Sequence, residues 1–347
     1  MPPLFGRIET LAWESAQRYS GDGGDCLKAG LNRPYRCVVD NVGNLLIADL
    51  GNRRIRLIDL VTRTISTYAG SGRGDNAGDG GPALQASFGE PAGIAIGRNG
   101  DVYIADRAHN VVRKVDAASG MVTTLAGSVW REPSDVAVAP DGRVIVADTG
   151  AGRVCTIGAG GEVAMLAGSL ELPVSVACDA SGNVYVCERS AHRVRRITPD
   201  GAIGPFAGTG APGNSGDSRS AEGATLREPT CVTVDGAGNV LIADTGNHAI
   251  RFVERASGNI YTVAGGRRGF RGDGRDASAA ALDTPSGCAV DADGYIYIAD
   301  TNNNRIRSVV SAATEDDGFG EDDGLGRGAR LGGGGRRGRG DGQADDE

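Results

Sequence analysis

Six prolines, Pro34, Pro91, Pro133, Pro173, Pro229 and Pro285, are each followed 15 positions later by an acidic residue: Asp49, Asp106, Asp148, Glu188, Asp244 and Asp300. One offset kept six times marks a repeated supersecondary unit. Such a unit constrains the fold strongly, because each copy must bury its apolar faces against its neighbours.

The first unit contains four short runs: Cys37-Val-Val, Asn44-Leu-Leu-Ile-Ala-Asp49, Arg54-Ile-Arg-Leu-Ile58 and Thr64-Ile-Ser-Thr-Tyr-Ala-Gly70. These runs are β-branched and apolar, and turn pairs such as Asn99-Gly100, Asp141-Gly142 and Asp293-Gly294 punctuate the chain, which carries 57 glycines. None is long enough for a regular helix. Four strands in a repeat of 40 to 57 residues predict an all-β, six-bladed β-propeller of four-stranded blades.

The stretch from Gly78 to Asp116 and the stretch PTCVTVDGAGNVLIADTGNHAIRFV at 229–253 resemble NHL repeats. The resemblance extends over residues 8–310 and implies a six-bladed NHL propeller. Blade 4 departs most, with Cys187-Glu188 where the other units carry Ala-Asp.

Five units close on an Ala-Gly pair, at Ala69, Ala126, Ala167, Ala207 and Ala264, and the sixth does not. The missing strand is expected from the other end of the chain. Ile8-Glu-Thr-Leu-Ala12 matches Ile65-Ser-Thr-Tyr-Ala69 position by position, and Gly21-Asp-Gly-Gly24 matches Gly78-Asp-Gly-Gly81. Pairing both termini in one blade would remove a free sheet edge and tie the ring shut.

Inserts placed 12 residues ahead of a proline carry Asp22, Asp79, Asp217 and Asp273, so four connections are long, and those before blades 3 and 4 are short. Alternating strand directions put the inserts on the same face as the loops linking second and third strands. This decorated face should carry a notch in its rim at the short connections.

The propeller is assigned residues 1–310, and residues 311–347 a disordered tail, whose ten acidic residues and five arginines among many glycines cannot build a packed core. The formal net charge of -8 argues against a protein that grips nucleic acid through phosphate contacts. Neither a leader nor an apolar run long enough to span a bilayer is visible. Seven cysteines, with no closely spaced pair, favour a reducing compartment, the cytoplasm, without assigning one.

The repeated acids Asp49, Asp106, Asp148, Asp244 and Asp300 are expected to cap local turns by accepting backbone N–H groups. Glu188 is the equivalent residue of blade 4 and stands, with His109, His192 and His248, among the candidate binding residues. Two positions after each proline stand Arg36, Gly93, Asp135, Ser175, Cys231 and Gly287, expected near the mouth of the central channel. Arg36, Asp135 and Ser175 could hold a polar ligand there or compensate one another. His109, His192 and His248 fall in separate loops after second strands and are expected at the surface. Third-strand arginines are expected on a solvated or salt-bridged periphery, and the cysteines on first strands as small buried hydrophobes.

No catalytic set is legible: no Gly-x-Ser-x-Gly elbow, and no converging histidines or carboxylates with metal-ligand spacing. No cofactor is expected, Ca²⁺ being the one metal the Asp-rich turns suggest. The sequence reading is therefore a noncatalytic, monomeric scaffold binding a protein or peptide partner on the decorated face. A channel-centred lyase or lactone hydrolase and an RNA binder are the alternatives.

Overall fold

The repeats fold into six antiparallel sheets, in a computed structural model that describes residues 5–14, 18–127 and 129–311. Blade 1 runs from its inner strand Pro34–Val39 through Asn44–Asp49 and Arg54–Asp59 to the outer strand Thr64–Ala69. The other inner strands are Pro91–Ile96, Pro133–Val138, Pro173–Cys178, Cys231–Val234 and Pro285–Val290, and each contacts the next around the ring. Regular helix is absent among the described residues, where only three-residue 3₁₀ turns occur.

Second strands such as Val144–Asp148 and Ile296–Asp300 are buried at every position. A strand buried on both faces reads as a continuous apolar run rather than an alternation, hence Val144-Ile-Val-Ala and Ile296-Tyr-Ile-Ala. The core lies between blades. Tyr297, Ala299 and Ile306 of blade 6, for example, pack on Cys37, Leu45 and Ile47 of blade 1.

The N-terminal strand Phe5–Ala12 closes the ring as the outer strand of blade 6 and pairs antiparallel with Arg305–Ser311. The register sets Ile8 against Val309 and Thr10 against Arg307. Ile8, Leu11 and Ala12 are fully buried. The tail assigned to 311–347 lies, from residue 312 on, outside the described residues.

The inserts do more than decorate a face. Gly24–Asp25 adds a short fifth strand to the outer edge of blade 1, Arg219–Ser220 does so for blade 5 and Arg275–Asp276 for blade 6. In blade 2, Val122 donates its backbone N–H to Gly81 and accepts from Gly80. Each insert thus covers the outer edge of the blade it precedes, occupying backbone groups that would otherwise invite pairing with another chain.

Candidate functional site

Arg36 occupies the central channel. A bulge follows the proline on five of the inner strands, between Pro34 and Arg36, Pro91 and Gly93, Pro133 and Asp135, Pro173 and Ser175, and Pro285 and Gly287. A bulge re-aims side chains, and here the residues two past the proline gather at the ring axis. The glycines are required by space: a Cβ on Gly93 would stand 2.4 Å from Asp135 Cα, and one on Gly287 would stand 2.5 Å from the Tyr35 carbonyl oxygen.

The Arg36 guanidinium reaches four other blades. Nε lies 3.4 Å from Asp135 Oδ2, Nη2 donates to the Val174 carbonyl at 3.2 Å and to the Thr230 carbonyl, and Nη1 donates to the Ser286 carbonyl. Asp135 Oδ2 also accepts from Ser175 Oγ at 2.6 Å and from Val176 N at 3.2 Å. Ser175 Oγ in turn accepts from Val232 N at 3.1 Å. Only 3% of Arg36 and 4% of Asp135 is exposed, so these residues are a plug within the channel rather than a funnel at its mouth.

Burial opposes the charge on Arg36, and Asp135 more than restores it, leaving the guanidinium above its ordinary pKa. Burial raises Asp135, against the pull of Arg36, Ser175 and two backbone N–H groups. Cys37, Cys231 and Cys288 are buried around this knot.

The repeated acids do not cap their own turns. Asp49, Asp148, Asp244 and Asp300 accept no backbone N–H from the turn that follows. Each instead accepts a backbone N–H from 17 residues upstream, on the connection entering its own blade: Asn32 at 2.8 Å, Arg131 at 2.6 Å, Arg227 at 2.7 Å and Asp283 at 2.7 Å. Asp106 takes Gly89 and Glu90, and Glu188 takes Glu171. The physical reason is topological, because the entering connection crosses directly over the end of the second strand.

The second carboxylate oxygen tells the blades apart. Asn247 and Asn303 donate their side-chain amides to the acid at 2.8 Å and also to an insert carbonyl, of Gly213 at 2.6 Å and Gly269 at 2.8 Å. His109 bridges Asp106 at 2.7 Å and the Gly74 carbonyl at 3.0 Å. Asn52 bonds Asp49 at 2.8 Å. Blades 3 and 4, without inserts, carry Ala151 and Ala191 at this position.

The third-strand arginines of the insert-bearing blades are interior, not peripheral. Arg56, Arg113, Arg251 and Arg307 are essentially inaccessible. They pair with insert carboxylates: Arg56 with Asp22 at 2.6 Å, Arg113 with Asp79 at 2.9 Å, Arg251 with Asp217 at 2.6 Å and Arg307 with Asp273 at 2.5 Å. A buried cation needs such a partner. The equivalent residues of blades 3 and 4 are Cys155 and the half-buried Arg195.

His192 and His248 are half-buried rather than free on the surface. Both have positive φ, 51° and 55°, and through Nδ1 they accept the N–H of Glu228 and Thr284 on the next blade, each at 3.1 Å. Asn110 and Asn304 do the same for Glu132 at 2.7 Å and Arg33 at 2.8 Å. The recurrence of His or Asn at this left-handed position was a signal available in the sequence. The three histidines do not converge, and among the described residues no group of three His, Cys, Asp or Glu side chains could hold a metal ion.

On the decorated face the inserts present aromatic rings stacked on arginine. Arg305 lies 3.4 Å from the Phe270 centroid and 4.4 Å from that of Trp13, and Arg54 lies 3.7 Å from that of Tyr19. Phe270 is 43% exposed and Trp13 and Tyr19 are 37% exposed. On the opposite face a cleft of 1180 Å³ separates blades 6 and 1, lined by Arg7, Arg63, Asp291, Tyr295 and Tyr297 among others.

The teneurin NHL domain model matches residues 70–131, and the NHL repeat model matches 131–156, 226–251 and 282–307. Mouse (Mus musculus) Teneurin-3 is 29% identical over 306 residues, a match covering 67% of this chain and only 11% of that protein. An auxiliary nutrient binding protein from Bacteroides ovatus superposes with a TM-score of 0.69 at 18% identity, over 89% of this chain and 77% of that one. A gluconolactonase from Xanthomonas campestris superposes with a TM-score of 0.59 at 15% identity, over 88% and 89%. At such identities the solved structures establish the fold alone. The chain therefore carries NHL repeats, matched over these segments, within a closed six-bladed β-propeller.

Proposed function

We propose that this propeller is a noncatalytic binding module whose loop-decorated face engages a protein or peptide partner. The observation that carries the reading is the set of Asp–Arg locks from Asp22–Arg56 to Asp273–Arg307. They pin the inserts to the blade cores, so the loops are ordered before a partner arrives and little ordering entropy is lost on binding. Pinned loops that expose Phe270, Trp13 and Tyr19 offer the residue types that anchor protein interfaces.

Support for binding over channel chemistry comes from Arg36, whose guanidinium is spent on Asp135 and on the carbonyls of three further blades. A reacting group at that point would have to displace it. The RNA alternative loses part of its basic surface, since Arg56, Arg113, Arg251 and Arg307 are buried, and keeps Arg193, Arg195 and Arg196, which are half-buried or exposed. The module is proposed to work as a monomer with no resident metal.

The test is affinity capture with wild type and with a Trp13→Ala, Tyr19→Ala, Phe270→Ala variant, alongside elemental analysis of dialysed protein. The reading expects a partner set that the variant loses and less than stoichiometric Ca²⁺ or Zn²⁺. A partner set unchanged by the triple substitution overturns the assigned face. One tightly held metal ion per chain redirects attention to enzymatic chemistry.

A further inference from the structure

Blade 3 has an outer edge that nothing among the described residues covers. In each of the four insert-bearing blades a threonine of the outer strand pairs with the buried third-strand arginine: Thr67 with Arg56, Thr124 with Arg113, Thr262 with Arg251 and Thr10 with Arg307. The N–H groups of Thr67 and Thr262 point away from their sheets and donate to the insert carboxylates, Asp22 Oδ2 at 3.1 Å and Asp217 Oδ2 at 3.2 Å. Thr10 donates its hydroxyl to Asp273 Oδ2 at 2.7 Å. In blades 1 and 5 the insert therefore satisfies the edge donor at this register, and in blade 6 it holds the threonine hydroxyl.

The same register holds Pro205 in blade 4, paired with Arg195, and Met165 in blade 3, paired with Cys155. Proline has no N–H to satisfy and is itself a protective residue on an edge strand. Met165 keeps its outward N–H, and no described strand lies beyond Val163–Ala167 in its sheet. Met165 is 67% exposed and Val163 36%. The strand Val163-Ala-Met-Leu-Ala167 carries no charge and no proline. It is an open β-template without the usual safeguards.

We infer that the outer edge of blade 3 is a docking site for an extended peptide segment of a partner protein, which adds to the sheet as a fifth strand. The chain itself states the mode, because three other blades receive a short antiparallel strand on this edge. It also states the chemistry. With Cys155 in place of the buried arginine, no cation awaits a carboxylate, so the incoming segment meets the Met165 N–H with a backbone carbonyl. It lays apolar side chains over Val163 and Met165 and sets a basic residue near the exposed Glu162 at the start of the strand. This surface is separate from the ring of inserts and does not depend on the reading given for the decorated face.

The test pans a phage-displayed library of short linear peptides against the intact chain and titrates synthetic versions of the enriched sequences by fluorescence anisotropy. Wild type is compared with Met165→Pro, which copies the natural Pro205, and with Met165→Lys, which keeps the backbone donor in case the proline variant fails to fold. Enriched peptides with alternating apolar residues and a basic end, binding about tenfold or more weakly to both variants and unaffected by Phe270→Ala, bear the inference out. Failure to enrich any such peptide, or equal affinity for all three proteins, overturns it. A wild-type dimer in sedimentation that Met165→Pro converts to monomer also overturns it, by giving the edge to a second copy of the chain.

Discussion

Asp22 and Arg56 meet at 2.6 Å although 34 residues separate them, and the same separation joins Asp217 to Arg251 and Asp273 to Arg307. The arginine side chains are fully buried while the aspartates are one-third to one-half exposed. Each lock binds a surface loop to a third strand and leaves Asp49, Asp244 or Asp300 on the far side of the guanidinium, 3.5, 3.3 and 3.7 Å away. The insert is thus part of the blade's charge balance.

Substituting Asp217 by Ala removes one of the two carboxylates of Arg251. With Asp244 remaining and Asp217 half-exposed, the loss should be modest, about 1–2 kcal/mol in urea denaturation. Amide exchange should quicken around Ser215–Ser220. Exchange rates equal to wild type would show that the lock does not hold the insert.

Arg36→Ala strands the buried Asp135 and frees carbonyls of three blades, and should cost about 3–5 kcal/mol. Lysine should not rescue, because a single ammonium cannot present the fork that reaches Val174, Thr230 and Ser286 together. An Arg36→Lys protein as stable as wild type by urea midpoint would refute the plug as described.

His248 is lowered from its ordinary value chiefly by burial, with Arg268 acting in the same direction and Asp283 against it. The neutral ring is the form whose Nδ1 accepts from Thr284. The clamp's stability is therefore fully present above the unfolded value of about 6.5 and is lost as pH falls below that value through the lower folded one. His248→Asn, which copies Asn110 and Asn304, should remove about 1 kcal/mol of the stability lost between roughly pH 7.5 and 5. Comparing the two proteins also cancels the opposite trend of Asp49 and Asp300, which burial raises to about 6. Parallel stability-versus-pH curves for the two proteins would argue that the histidine does not clamp.

Deletion of residues 1–13 removes the outer strand of blade 6 and exposes Arg305–Ser311 as an edge. The melting temperature should fall by several degrees or more, with concentration-dependent aggregation. A melting curve superimposable on wild type would contradict closure by the N terminus.

The architecture was legible because its signals are local. Alternation, apolar second strands, Asn-Gly and Asp-Gly turns and the constant proline-to-acid offset each act within a few residues, and six copies reinforce one another. The closing strand was legible too, since Ile8–Ala12 had to resemble the strand it replaces. The inserts, their face and the short connections at blades 3 and 4 followed from the same spacing.

The partners of each side chain were a different matter. The repeated acids read as local caps, yet their donors sit 17 residues upstream. The arginines of third strands read as surface charge, and those of four blades are interior. A covarying signal was present: Asn or His stands three residues after the repeated acid wherever an insert exists, and Ala151 and Ala191 stand where none does; the arginine position follows less strictly, with Cys155 in blade 3 but Arg195 in blade 4. Its meaning depended on knowing that an insert folds back along the edge of its own blade.

By itself, then, the sequence determined the repeat, its strand content, the number of blades and the closure of the ring, because hydrophobic period and turn chemistry act between near neighbours. Only the tertiary structure decided that Arg36 bonds to Ser286, 250 residues away, that the arginines of four third strands are buried, and that no described strand covers the outer edges of blades 3 and 4. Those facts depend on how six similar blades are set around one axis, a spatial relation that no local pattern encodes.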